Sequence, residues 1–453
     1  MRIIHSRGKR IGWKRIFPRA VYLYSHAINI HRIQTMSDPL TRFVMRREPA
    51  GTPGAVPGWT PVLTLAAEAF VMVTSEMLPI GVLSQMAKAL RMSGGTASAL
   101  VFTPGIMAAI AAPLTAVLAR RADRKVLLLA VGFAIVMSNL LVSVAHGLSL
   151  AITGRLLLGA CVGVFWAVSP SIGRRLVAAE HGNRATAVVL AGISLGAVLG
   201  VPAGTAIAHA VGWRIAFALV AAVTLLMVMG QHFLIPSLPP GPAIRPSQLL
   251  GVVRIQSARF ALIATALVVA GHFAAYTFIE PYLKEVVGMR QAAVVWLLFV
   301  YGAAGAVGTM VAERAAAINV RLAYLLTAIA LALALVIAGV WTGAPGVAVV
   351  SLIAVWGLLF GAIPVCIQLF LYEVAPLDLD AFPATLVSVF QIALAAGSWL
   401  GGRVVDDFGI TSAFRLASLL STVAAALLAV VAASHGRRET TKRVSSSTTL
   451  LDK

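Results

Sequence analysis

Residues able to do chemistry are few in this chain, and they stand inside long apolar runs. Glu68 and Glu76 share one run, Arg155 lies in another, and His272, Tyr276, Thr277 and Glu280 fall together in a third, G-H-F-A-A-Y-T-F-I-E-P-Y. Ionisable groups in such surroundings are costly and are functional candidates for that reason. On a helix, Glu68 and Glu76 would be about 12 Å apart along the axis and ~80° apart around it, so they do not share a face. A carboxyl withdrawn from water favours its protonated form, and Glu76 could therefore take up and release a proton, as proton-coupled transport requires. It is followed by Pro79 and Gly81, both of which distort helices. The competing reading is a carboxylate held permanently as a structural tie, which is preferred for Glu68. Arg155 needs a counter-charge or acceptors in the core, and Glu76 on an adjacent helix is the natural partner. The alternative is an arginine snorkelling at the outer end of its helix.

His272, Tyr276 and, a little further round, Glu280 follow i, i+4, i+8 spacing. With Thr277 they form a stripe suited to hydrogen-bonding a hydroxylated or ring-bearing solute. Packing within a helix bundle, with an interfacial aromatic belt, is the other reading, and Glu280 is close enough to the helix end to face water. Trp166, Gln368 and Gln391 are further candidates for lining a cavity.

These groups must be positioned by membrane helices. Hydrophobic residues make up 59% of the chain and charged residues 11%, and the mean hydropathy is +0.92, which excludes an ordinary soluble domain. Twelve apolar segments, each long enough to span a ~30 Å hydrocarbon core, are expected at 60–83, 96–118, 126–146, 149–172, 186–208, 213–235, 259–281, 292–312, 322–342, 347–371, 383–404 and 411–434. The predicted fold is all-α, with twelve transmembrane helices in two pseudo-symmetric six-helix bundles over 59–235 and 259–434. A proline-rich central loop, 236–258, would join them. Residues 1–58 form a basic arm with 11 Lys/Arg and 2 acids, expected to be disordered and cytoplasmic; 435–453 would be a cytoplasmic tail. Met36, in M-S-D-P-L-T-R, is an equally plausible translation start.

The net charge of +20 reads as positive-inside bias rather than nucleic-acid binding. With both termini inside, 28 Lys/Arg fall on the cytoplasmic side and 7 on the other. Cys161 and Cys366 lie in apolar stretches without ligand-spaced neighbours, so neither a disulfide framework nor a metal site is implied. The sequence has no P-loop and no H-E-x-x-H, and neither an enzyme nor a cofactor is expected.

Gly192, Gly196 and Gly200 recur every four residues ahead of Pro202 and Gly204, giving one helix a face without side chains where another helix can approach to backbone contact. The expected partner is the eighth span across the midline, whose Gly302, Gly305 and Gly308 form a similar face; Gly397 and Gly401 offer another. An internal repeat is visible at an offset of 202: G-R-L-L-L-G from Gly154 matches W-G-L-L-F-G from Trp356, and Gly200 matches Gly402. In this register Arg155 corresponds to Gly357. Two related halves favour a transporter with a cavity between them near the midplane.

The stretch from Gly192 to Gly204, followed by Gly212-Trp213-Arg214, resembles the antiporter signature of the twelve-helix drug:proton antiporter group of the major facilitator superfamily. T-S-E-M-L-P-I-G is similar to that group's T-E-F-L-P-V-G, and Arg155 with Gly159 to its R-x3-G. The runs G-H-F-A-A-Y-T-F-I-E-P-Y and G-G-R-V-V-D-D-F-G-I-T-S resemble those of sugar efflux transporters and purine ribonucleoside efflux pumps. The loop after the second helix departs from the family pattern, since Arg120 stands at the usual aspartate position and Asp123 at the second glycine. The basic cluster Arg120, Arg121, Arg124 and Lys125 is retained, and Asp123 is a possible substitute in the cytoplasmic gate. The resemblance implies a monomer in a bacterial inner membrane that exports a small solute by proton antiport, with the solute, protons and the bilayer as partners. A transport-inactive membrane sensor or scaffold acting through the basic arm is the alternative.

Overall fold

The computed structural model describes residues 58–118, 122–240, 254–340, 346–374 and 382–451, and among these the regular structure is helical. The expected basic arm, most of the central loop, and the gate candidates Arg120 and Arg121 lie outside the described residues. The first half contains α1 (Trp59–Gly81), α2 (Ala99–Leu118), α3 (Arg124–Ser143), α4 (Leu148–Arg175), α5 and α6 (Trp213–Leu234). Of these, α5 is assembled from Gly182–Leu195, a π turn Gly196–Gly200, and Val201–Val211. The second half begins with α7 (Gln256–Tyr276) and ends with α10 (Gly346–Val374), α11 (Phe382–Phe408) and α12 (Ile410–Leu451).

Eleven helices among the described residues are long and apolar enough to cross a membrane. One of them, Gln291–Val340, is 50 residues long and leaves helical geometry at Asn319 (φ −160°, ψ 100°). The Asn319 side chain accepts a hydrogen bond from the Leu322 N–H at 3.0 Å, capping a new start. The segment is therefore two crossings, α8 before Asn319 and α9 after it, which brings the number to the expected twelve. Large apolar side chains such as Leu226 and Phe233 project outward at 62% and 81% exposure, as lipid-facing positions should. The backbone of α12 stays helical well beyond the expected end at 434.

Helix ends are set by local chemistry. Asp123 caps α3 by accepting from the Lys125 N–H at 2.7 Å, and Ser93 caps the short helix Gly94–Ala97 ahead of α2 by accepting from Thr96 N–H at 3.0 Å. Gly212, between α5 and α6, and Gly409, between α11 and α12, have φ of 93° and 82°. Each half thus turns into its last helix through a left-handed residue that favours glycine.

Pseudo-symmetry is written in the packing. The glycines of α5 lie on α1 in a constant register: Gly192 on Ala66, Gly196 on Phe70, Gly200 on Thr74 and Gly204 on Leu78, always 126 residues apart. In the second half Gly397 lies on Ala270 and Gly401 on Ala274, always 127 apart, so α11 rides on α7 as α5 rides on α1. Likewise Gly159 of α4 meets Pro104 of α2, and Gly361 of α10 meets Gly305 of α8. The expected partner of the α5 glycine face is therefore corrected from α8 to α1. The eighth helix meets a different side of α5, where Gly302 touches Ala197 and Val198. A four-residue glycine interval specifies a close approach but not the helix that makes it.

Candidate functional site

Arg155 is fully buried, and all three of its hydrogen bonds go to main-chain oxygens: Nε donates to the Leu100 carbonyl, Nη1 to that of Ser75 and Nη2 to that of Glu76, each at 2.7 Å. The reason is in the sequence. Proline has no N–H, so Pro79 leaves the carbonyl four residues earlier, at Ser75, without its helical donor, and Pro104 does the same to Leu100. Arg155 supplies the missing donors to α1 and α2 at once. The expected pairing with Glu76 is corrected accordingly: the bond is to its backbone oxygen and not its carboxylate, although the guanidinium charge still acts on that carboxylate. Complete burial also removes the snorkelling alternative.

The Glu76 carboxylate faces the other half. Its Oε1 accepts from Gln391 Nε2 of α11 at 3.1 Å, with both residues buried. Two turns earlier, Glu68 points elsewhere, accepting from Gln231 Nε2 of α6 at 2.8 Å inside the first half. Directly after Glu76 the helix breaks: α1 ends at Gly81, Val82 has φ −133° and ψ 18°, and the chain resumes as Leu83–Ala89.

His272 and Tyr276 stand in an aromatic box of the second half. Trp356 Nε1 donates to His272 Nδ1 at 3.1 Å, so the imidazole carries its proton on Nε2, which lies 3.4 Å from the Tyr301 hydroxyl. Phe360, Tyr276 and Tyr301 stack on the imidazole. Thr277 is also buried, and its hydroxyl lies 2.9 Å from that of Ser398 on α11. The structure thus places these side chains against one another. Trp166 is half-buried against the first-half core, and Gln368 is exposed.

Glu280 does not face water. It is fully buried, accepts from the Ser84 N–H at 3.1 Å and Ser84 hydroxyl at 2.7 Å, and forms an ion pair with Lys284 at 3.1 Å. The bond to Ser84 draws it into the junction between halves. Asp406, at the end of α11 in the same half, also reaches across to the first half, accepting from the Ser93 hydroxyl at 2.8 Å and the Gly95 N–H at 2.9 Å. It was not singled out from sequence, where it is one acid of the pair Asp406-Asp407 near a helix end. Apolar side chains close the same junction: the second-half core runs on into Ile80, Leu83, Ala97, Val101 and Val201 of the first.

Of the gate candidates, Asp123 is bonded to Ser237 and, at 3.4 Å, to the Leu238 N–H, tying the start of α3 to the segment after α6. Partial burial opposes its charge. The Ser237 hydroxyl and the Lys125 and Leu238 N–H groups outweigh that effect and hold the carboxyl below the ordinary aspartate range. Arg124 is buried beside it, with its main-chain N–H on the Leu238 carbonyl at 2.9 Å, and Lys125 follows in the first turn of α3. The string Gly192-Ile193-Ser194-Leu195-Gly196 spells the spacing of a hydrolase nucleophile elbow, but it lies within α5 with the Ser194 hydroxyl bonded back to Leu190 at 3.3 Å, so it lacks the strand-to-helix turn such a nucleophile needs. Among the described residues no group of His, Cys, Asp and Glu is placed to hold a metal ion.

Residues 65–388 match the family model described as Major Facilitator Superfamily. A relative from Pseudomonas aeruginosa, the transcription regulatory protein OpdE, is 32% identical over 81% of this chain and 92% of its own length. The purine ribonucleoside efflux pump NepI of Escherichia coli is 28% identical over 80% and 92%. Among solved structures, a bacterial homologue of the human lysosomal transporter Spinster, in an inward-facing and occupied conformation, superposes with a TM-score of 0.65 at 14% identity over 84% of this chain and 98% of that one. The human organic anion transporter MFSD10 superposes with a TM-score of 0.58 at 15% identity over 82% and 98%.

Proposed function

The chain belongs to the major facilitator superfamily, and on that premise we propose that it is a secondary active transporter that exports a small solute (a sugar, a nucleoside, or a related metabolite or drug) by proton antiport with alternating access. It works as a monomer in a bacterial inner membrane, with both termini cytoplasmic and with 59–235 and 259–434 as the rocking bundles; solute, protons and bilayer are its partners, and it uses no cofactor and binds no nucleic acid. The observation that carries this reading is Glu76: a buried carboxylate beside a helix break, whose hydrogen-bond partner Gln391 belongs to the opposite half. Protonation changes what such a group can bond to, and a ligand shifts a two-state equilibrium only by its differential affinity for the two states. The name of the Escherichia coli relative supports purine nucleosides as the first solutes to test.

In proteoliposomes loaded with purine nucleosides or arabinose-type sugars, Glu76→Gln is expected to abolish efflux driven by a pH gradient while leaving the fold intact. Full gradient-driven efflux by this variant would overturn the assignment. The name of the Pseudomonas relative favours a second reading, a membrane sensor that moves no solute. Solute counterflow by the full chain separates the two, and counterflow by a chain starting at Met36 would leave the basic arm no necessary role.

A further inference from the structure

Glu68 and Glu76 each face a glutamine amide. Gln231 Nε2 donates to Glu68 Oε2 at 2.8 Å, and Gln391 Nε2 donates to Glu76 Oε1 at 3.1 Å. In both pairs the amide oxygen, Gln231 Oε1 or Gln391 Oε1, is buried without a donor, and in the first pair Glu68 Oε1 is as well. An amide offers a carboxylate only its N–H end, but it can engage a carboxylic acid through both ends, giving N–H to the acid's carbonyl and accepting the acid's O–H. One proton on the carboxyl therefore supplies the missing donor.

The pairs differ in what they join. Glu68 and Gln231 both belong to the first half, whereas Glu76 and Gln391 connect α1 to α11. Resting on the reading of Glu76 as the proton site, we propose that Gln391 is a positioning residue that reads the protonation state of Glu76 across the two halves: one hydrogen bond joins them when the carboxyl is ionised and two when it is protonated. Proton binding then strengthens the contact between halves, and proton release leaves it free to open. Of the charged groups on helices packed against α1, Arg155 acts on Glu76 electrostatically. Glu68 lies two turns earlier, and the Glu280–Lys284 pair lies beyond Ser84 at the other end. The Arg155 guanidinium is committed to three carbonyls, which leaves the Gln391 amide to respond to the proton. Gln391, expected to line a solute cavity, is thereby assigned to coupling.

The test needs no known solute. Spin labels at Lys88→Cys and Arg290→Cys, both exposed and in opposite halves, report the separation of the halves in nanodiscs, with Cys161 and Cys366 replaced by alanine. Between about pH 4 and about pH 9, a range that covers the titration of exposed and buried glutamates alike, the full chain is expected to shift toward the closer distance as pH falls. Gln391→Met, similar in length but without the amide, is expected to shrink that pH-driven change in the population ratio by roughly tenfold, the scale of a hydrogen bond to an ionisable group. Gln391→Glu, which can share one proton with Glu76, is expected to restore the response with its midpoint moved to higher pH. Gln231→Met, inside one half, should leave the response unchanged. A pH response in Gln391→Met equal to that of the parent would overturn the role of Gln391. A response that also survives Glu76→Gln would overturn Glu76 as the proton site, so the two failures are distinct.

Discussion

Arg155 and Gly357 occupy the same place in the two halves, 202 residues apart, and the halves are held together there by different physics. In the first, a buried cation bridges carbonyls of α1 and α2. In the second, Gly357 lets α10 come into backbone contact with Tyr301 of α8, and Trp356 beside it closes an aromatic box around His272. The prolines account for the difference. Pro79 has a counterpart in Pro281, also 202 residues on, but where Pro104 stands opposite Gly159 the second half has Gly305 opposite Gly361, and the N–H of Gly305 remains available to its own helix. Without a freed carbonyl on α8, an arginine at 357 would have little to bond and no room to stand. The loss of symmetry at one residue thus follows from the loss of a proline on a neighbouring helix.

Removing the cation should produce the largest effect. Arg155→Met leaves the Leu100 and Ser75 carbonyls without donors, and at about 1–3 kcal/mol for each unsatisfied buried group the first half is expected to lose several degrees of thermal stability in detergent. Adding Pro104→Ala returns an N–H to Leu100 and should recover part of the loss. Absence of any recovery would break the link drawn between the arginine and the prolines.

In the second half, Trp356→Phe keeps the packing but removes the donor to His272 Nδ1. A destabilisation of about 1–2 kcal/mol is expected, smaller than that of Arg155→Met. A larger loss would mean that the box, and not the arginine, is the more critical anchor.

The smallest effect is expected at the rim of the first half. Asp123 has a depressed pKa in the folded protein, so it contributes stability above its unfolded value of about 3.8 that disappears as pH falls through the lower folded value. The stability gap between the parent and Asp123→Ala should be constant near neutral pH and close under strongly acidic conditions. Unchanged solute transport in Asp123→Asn would remove this residue from the gate and leave it as a cap and tie.

Much of this was legible in the chain. Lipid leaves the backbone no outside hydrogen-bond partners, so apolar segments of the right length must be helices, and the twelve expected crossings follow, including the pair that continues through Asn319. Two of the three targets of Arg155 were legible in principle as well, because Ser75 and Leu100 each lie four residues before a proline. Other features depended on how the helices are arranged. The glycine interval in α5 is equally compatible with α1 and α8, and only the assembled bundle selects α1. Hydrogen bonds between Glu76 and Gln391 and between Ser84 and Glu280 join residues 315 and 196 positions apart, and a helical repeat carries no information about a partner at that distance. Period and composition determined which segments cross and which of their faces lack side chains. Tertiary structure decided which buried carboxylate stays within one half and which reaches the other, because that depends on helix rotation about its axis, and rotation is fixed by neighbours rather than by the helix itself.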